Sequence, residues 1–230
     1  MKDHVSLGHA SINQLKQKYG DKFTSEQISK TLKTCVTCAS VFPKTKIRKI
    51  PTREYESGEM ISADLIGPIN GSYGLIISDK KSNFISARVL KSKADVSPKT
   101  LEILKTFKNL LSLTKNTIVI FRADNEFDTK VIAEYCELEG ITTQFTAPHS
   151  YYQNGFAESQ NYQVERKMKY MLIDANIPMN FWNFACHQSV FINNYIPKSK
   201  NTVSAWKIFR NCTRPVKNIL PFGCRVINHF

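Results

Sequence analysis

From residue 60 onward, short β-favouring apolar runs alternate with stretches of helical period. That alternation restricts the chain to an α/β layered architecture. Residues 60–66 form the first run, ended by Gly67-Pro68, with Asp64 inside it. Residues 75–77 and 84–90 follow at hairpin-like spacing, which predicts an antiparallel meander. Leu101, Leu104, Phe107, Lys108 and Leu111 then recur at helical spacing, with Ser97-Pro98 as the N-terminus. Residues 117–121 are a continuous β-branched run, read as a buried strand with Asp124 just past its C-terminal end. A helix over 129–139 stops at Gly140, and 142–146 is a short further strand. Residues 147–154 are a loop containing Pro148, His149 and two tyrosines. A long helix over 155–175 carries Glu158 in its first turn, and a last helix over 181–195 is apolar at Phe184, Ala185, Gln188 and Phe191.

At 230 residues the chain is long enough for one sizeable core plus a small accessory module. Its 42% hydrophobic content and 11% aromatic content are those of a folded protein. Lys and Arg number 32 against 19 Asp and Glu, a formal net charge of +13. Neutralising phosphates releases condensed counterions, so this excess favours nucleic acid over a merely soluble basic surface. No apolar run approaches the ~20 residues needed to cross a bilayer, so no membrane partner is expected. The opening Met1-Lys2-Asp3-His4 has no hydrophobic stretch behind it, and a secretory signal is not expected. Six cysteines do not make a disulfide scaffold, and a reducing compartment fits them better.

Two of those cysteines, Cys35 and Cys38, form a C-x2-C pair, with His4 and His9 upstream as H-x4-H. Two imidazoles and two thiolates make up the ligand set of a closed tetrahedral zinc site, with chance spacing as the alternative. Between the pairs there is room for two short helices. Ser11 caps residues 12–19 with Gly20 as the stop, and Thr24 with Gln27 forms a capping box opening a helix to about Leu32. Ile12, Leu15, Ile28 and Leu32 are the candidate core of a unit too small to stand without a metal. Cys136, Cys186, Cys212 and Cys224 lie in apolar surroundings and read as buried free thiols. Residues 1–42 thus form a helical module and 43–58, rich in Lys, Arg, Thr and Pro, a basic linker.

Asp64 stands in a run as apolar as residues 61–66, where a carboxylate is costly unless something pairs with it. Asp124 at the end of a neighbouring strand and Glu158 at a helix start can converge on the same point. Carboxylates so close raise one another's pKa unless hard divalent cations neutralise them. Two such ions about 3.5–4 Å apart activate a nucleophile and stabilise a leaving oxygen. The plainer alternative is that each acid is a surface or capping residue, with Asp124-Asn125 an ordinary Asx turn.

Several segments together resemble one family. Ser62-Ala63-Asp64-Leu65-Ile66-Gly67-Pro68 is similar to the first-Asp motif of integrases, D-x-x-G-P. Arg122-Ala123-Asp124-Asn125-Glu126-Phe127 looks like the second-Asp motif. Gln153-Asn154-Gly155-Phe156-Ala157-Glu158 resembles the Q-N-G-x-A-E signature of the third carboxylate. The order His-His-Cys-Cys resembles the zinc-binding N-terminal module of integrases. Residues His4-Val5-Ser6-Leu7-Gly8-His9 look like the H-x-x-L-G-H segment of copia-type (Ty1/copia, Pseudoviridae) retrotransposon integrases. The likeness continues through Asn180-Phe181-Trp182 to Phe222-Gly223-Cys224.

The resemblance implies an RNase H-like core with a five-stranded mixed sheet over residues 59–200, preceded by the zinc module and followed by an extension over 201–230. It implies a polynucleotidyl transferase with Asp64, Asp124 and Glu158 as catalytic ligands of two Mg²⁺ or Mn²⁺ ions. One structural Zn²⁺ would sit on His4, His9, Cys35 and Cys38. The implied reactions are processing of the 3′ ends of element DNA and their transfer into target DNA. Both are in-line phosphoryl transfers that positioned metal ions can carry. Contacts to double-stranded DNA are implied for Tyr151, Tyr152, Gln153 and Asn154 in the active-site loop, and for Asn161, Arg166 and Lys167 on the helix behind it. Implied too are a homo-oligomer, polyprotein partners such as reverse transcriptase, and a nuclear location with a cytoplasmic virus-like-particle stage.

The chain departs from the pattern in two places. Asp124 and Glu158 are separated by 33 residues where the family has 35, because Asp124-Asn125 runs directly into Glu126-Phe127. Ser159 and Gln160 stand where relatives carry basic residues. With Met1 three residues before His4 and an end soon after the core, these departures suggest a truncated relic of a yeast Ty-type element, or an excised piece. The competing function is therefore an inactive remnant that retains only nucleic-acid or protein binding.

Overall fold

Four short helices open the chain: α1 (Lys2–Ser6), α2 (Ile12–Tyr19), α3 (Ser25–Lys33) and α4 (Val36–Val41). Side chains close the N-termini of the middle two. Ser11 Oγ accepts from Gln14 N at 3.4 Å while Ser11 N donates to Gln14 Oε1 at 2.9 Å. Thr24 and Gln27 repeat the exchange at 3.2 and 2.8 Å, the capping box expected there. The amphipathic faces meet at Leu7, Ala10, Leu15 and Ile28, with Ile12 and Leu32 packed against them. Leu7 and Ala10 join this core beyond the residues the helical spacing predicts, and Ile196 and Ile219 also border it. Helices α1 and α4 leave no signal in the sequence pattern. Five or six residues are too few to show a period, and here they carry His4 and Cys38.

The computed structural model describes residues 2–19, 22–41, 53–146, 155–197, 203–216 and 219–224. They divide into two compact units, one of residues 1–47, 164–204 and 215–230, the other of residues 48–163 and 205–214. The expected stop at Gly20, the loop at 147–154 and most of the basic linker lie outside the described residues.

The second unit is built on a mixed five-stranded sheet. Its strands are β1 (Met60–Ile69), β2 (Ser72–Asp79), β3 (Ile85–Leu90), β4 (Ile120–Asp124) and β5 (Thr142–Thr146). They lie in the order β3-β2-β1-β4-β5, with the first three antiparallel and β1, β4 and β5 parallel. Between strands run α5 (Val96–Ser112) and α6 (Lys130–Leu138), the latter capped by Thr129. Ile61, Ala63, Leu75, Ile77, Phe121 and Ala123 face a core filled by Ile103, Leu104, Phe107 and Leu111 of α5 and by Ile132 and Cys136 of α6. Alternation along the strand therefore turns Ser62 and Asp64 to the opposite face.

Several strand boundaries differ from the sequence reading: β2 runs beyond 75–77 on both sides, and β3 starts one residue later than 84. Gly67-Pro68 does not end β1. The ladder shifts register between Ile66 and Ile69 and resumes at Ile69↔Ser72. Gly67 makes this possible at φ 110°, where an added Cβ would lie 2.9 Å from Ile69 N. Strand β4 starts at Ile120 instead of 117, because pairing with β1 begins at Met60↔Ile120. Asp124 is consequently the last residue of the strand, paired with Thr146, and not a residue beyond it.

The long helix α7 (Gly155–Asp174) follows, then a 3-10 turn at Met179–Phe181 and α8 (Trp182–Tyr195). Residues 155–163 of α7 belong to the second unit and 164–174 to the first, as does α8. The buried stripe of α8 is Trp182, Ala185, Cys186, Ser189, Val190 and Asn193, whereas Phe184 is 60% exposed. Of the expected stripe through Phe184, Ala185, Gln188 and Phe191, only Ala185 is buried. Both stripes obey helical spacing, and packing on Val164, whose carbonyl accepts from Ser189 Oγ at 3.0 Å, selects the other one. Helix α9 (Ala205–Arg210) returns to the second unit, where Phe209 stacks on Phe84 with centroids 4.6 Å apart. Of the four remaining thiols, Cys136 and Cys186 are buried as expected, whereas Cys212 and Cys224, outside any helix or strand, are exposed.

Candidate active site and metal centre

Register brings the two aspartates together. Ser62 of β1 pairs with Arg122 of β4, so Asp64 and Asp124, each two residues further along parallel strands, project from adjacent positions on the face away from α5. The first turns of α7 serve the same place. Asn161 Nδ2 donates to Asp64 Oδ2 at 2.9 Å and to the Leu65 carbonyl at 3.2 Å. Glu158 lies three residues earlier on that helix and shares its face with Asn161.

Electrostatics report the same proximity. Burial, and then the charges of Asp124, Glu158 and Glu126, push the Asp64 pKa up to about 7, against the opposing Leu65 N–H. Burial also raises Asp124, whose Oδ1 accepts from Glu126 N at 3.0 Å. The Asx turn considered from sequence is thus present, and it leaves Asp124 beside Asp64. Glu126, paired with Lys93, is a fourth carboxylate at the site that the motifs did not single out. Asp124, Glu158 and Glu126 each raise Asp64, so the acids influence one another. Such a group of all-oxygen donors suits a hard divalent cation, which would relieve the repulsion that disfavours ionised Asp64.

The expected DNA-contact residues fare differently from one another. Tyr151, Tyr152, Gln153 and Asn154 lie outside the described residues. Asn161 is buried at 8% exposure with its amide on Asp64. Arg166 and Lys167 belong to the first unit, where Arg166 Nε donates to Tyr170 OH at 2.9 Å and Lys167 Nζ to Asn193 Oδ1 at 2.7 Å.

In that first unit, α1, α4 and the turns beside them converge four ligand atoms. One ligand atom from each of His4, His9, Cys35 and Cys38 lies within 4.8 Å of all the others. His9 Nδ1 is 3.2 Å from His4 Nε2 and 3.4 Å from each sulfur, and Cys38 Sγ is 3.3 Å from His4 Nε2. Zinc–nitrogen bonds of about 2.0–2.1 Å and zinc–sulfur bonds of about 2.3 Å set tetrahedral edges of roughly 3.3–3.8 Å, so the donor set fits that ion. His4 Nδ1 donates to the Ala10 carbonyl at 2.8 Å, which leaves Nε2 as its ligand atom. Burial, reinforced by His4, lowers His9 to about 4, and burial with Cys35 pushes Cys38 up to about 12. Without metal the centre is uncharged at these two positions.

No protein-family model matches the sequence. The retrovirus-related Pol polyprotein from transposon TNT 1-94 of Nicotiana tabacum is 25% identical over 239 residues, covering 98% of this chain and 18% of that protein. The corresponding polyprotein from transposon RE1 of Arabidopsis thaliana is 27% identical over 157 residues, covering 68% of this chain and 10% of that protein. The chain is a homologue of copia-type retrovirus-related Pol polyproteins. It spans less than a fifth of the length of these curated relatives. Among solved structures, the simian T-cell lymphotropic virus intasome in complex with the PP2A regulatory subunit B56 gamma matches with a TM-score of 0.58 at 16% identity. That match covers 98% of this Pol-related chain and 77% of the other. It bears out the RNase H-like fold of the five-stranded core. Among the described residues no helix is long and apolar enough to cross a membrane.

Proposed function

We propose that this chain is the integrase portion of a retrotransposon polyprotein, with Asp64, Asp124 and Glu158 holding divalent metal ions. The observation that carries this reading is the pairing of Ser62 with Arg122, which makes Asp64 and Asp124 neighbours on one sheet face. Magnesium or manganese bound there would activate the attacking oxygen and stabilise the leaving one. The chain's own residues place the carboxylates. Asn161 and Leu65 N–H hold the two oxygens of Asp64, the strand end aims Asp124, and α7 presents Glu158. The substrate is double-stranded DNA, drawn by the net charge of +13. Processing of element 3′ ends and their transfer into target DNA would then proceed on one site, in the nucleus and within a multimer. The His/Cys module of residues 1–42 would bind one structural zinc.

The test is divalent-dependent nicking and strand transfer by the purified chain. Activity should require Mg²⁺ or Mn²⁺ and vanish in Asp64→Asn, and activity surviving that substitution overturns the assignment. A second reading is an inactive, DNA-binding remnant, favoured by the 33-residue spacing from Asp124 to Glu158. It expects salt-sensitive DNA binding with no divalent-dependent cutting.

A further inference from the structure

His9 turns Nδ1 to the cluster of sulfurs and His4 Nε2. A metal on Nδ1 requires the ring proton to sit on Nε2. That nitrogen belongs to a side chain of 0% exposure and has no hydrogen-bond partner. His4 is different, because its second nitrogen is already satisfied by Ala10 within the same segment. Facing His9 Nε2 at 3.9 Å is Asp174 Oδ1, on the last residue of α7. The same oxygen accepts from Thr37 Oγ1 at 3.3 Å, so it is tied to α4, the helix that carries Cys38. Tyr170, one turn earlier on α7, packs its ring on His9 with centroids 4.8 Å apart.

We propose that Asp174 is the outer-sphere partner of this metal centre, closing on the His9 Nε2 proton when the metal is bound. The centre is then completed by α7 and not by the His/Cys segment alone. The proposal rests on the reading of His4, His9, Cys35 and Cys38 as a metal site. Closure from 3.9 Å to hydrogen-bond distance needs a carboxylate shift of about 1 Å. Tyr170 holds the ring while the Asp174 side chain, 31% exposed, has solvent on one side in which to move. A carboxylate accepting from the outer nitrogen fixes the tautomer and strengthens Nδ1 as a ligand. Asp174 is thus a positioning residue.

Zinc affinity of the full chain, measured by competition with a chromophoric chelator at constant pH, tests this. The parent should take up one equivalent, and Asp174→Ala should bind about 10–100-fold more weakly. Cobalt substituted in that variant should keep the absorption of a tetrahedral two-sulfur, two-nitrogen site, which a disrupted module would lose. Asp174→Asn retains an acceptor and should fall between the two. Equal affinity in Asp174→Ala and the parent overturns the proposal. If the alanine variant loses its circular-dichroism signature, Asp174→Asn decides: a several-fold loss supports the proposal and an unchanged affinity overturns it. A parent chain that binds no zinc overturns the metal reading itself, and the proposal with it.

Discussion

Asn161 Nδ2 lies 2.9 Å from Asp64 Oδ2, joining the long helix to the central strand across 97 residues of sequence. The other Asp64 oxygen accepts from Leu65 N at 2.9 Å, so the carboxylate is oriented from both sides. Asn161→Leu keeps the branched shape and removes the donor. Divalent-dependent DNA cutting should fall about 10–100-fold, the usual cost of losing an outer-shell contact to a metal ligand. Asn161→Asp should cut no better, because it sets one more negative charge against Asp64. Turnover measured beside the melting temperature separates this from a folding defect, and parent-like turnover in Asn161→Leu would show that the contact is incidental.

The metal-free centre should be acid-sensitive. His9 is depressed to about 4 in the folded chain against an ordinary 6.5, so the unfolded chain takes up the proton first. Stability is therefore full above about pH 6.5 and declines as pH falls toward 4, levelling off below that. Denaturant midpoints of chelator-treated protein across this range should show the decline, and His9→Gln should flatten it. Cys38, pushed up to about 12, is a neutral thiol at pH 7, so metal uptake must expel its proton. Calorimetry in buffers of different ionisation enthalpy should register that release, and apparent affinity should weaken as pH is lowered.

Asp79 anchors the turn between β2 and β3. It is fully buried and accepts from Gly58 N at 2.8 Å, Ser82 N at 2.7 Å and Ser82 Oγ at 2.5 Å. Asp79→Ala leaves these donors buried without acceptors and should cost about 3 kcal/mol. Asp79→Asn, which retains one oxygen, should lose less in a urea titration.

Gly58 has φ 85°, and an added Cβ would stand 2.6 Å from Leu111 Cδ1. Gly58→Ala should therefore destabilise by about 1–3 kcal/mol through overpacking, with backbone strain in addition. Combining it with Leu111→Ala removes the clash but not the strain. The double variant should accordingly lose less than the sum of the two single changes.

What the chain's sequence determined by itself is whatever acts over a few residues. The Thr24–Gln27 capping box and the strand at Thr142–Thr146 form where the sequence predicts them, because caps and β-branched runs act on neighbouring backbone. Motif order likewise named Asp64, Asp124 and Glu158, and His4, His9, Cys35 and Cys38, as two sets of residues. Tertiary structure decided how each set is completed. Strand register, which a local run cannot specify, put Asp124 at the end of β4 beside Asp64. Helix packing chose the Trp182–Val190 stripe of α8 over an equally periodic one through Phe184. The partners of the proposed metal ligands come from the same source. Asn161 reaches Asp64, and Asp174 with Thr37 meets His9, across separations of 97 and 137 residues for the two hydrogen bonds involved. Contacts at that range exist only once the sheet and helices have packed, and nothing in the flanking residues encodes them.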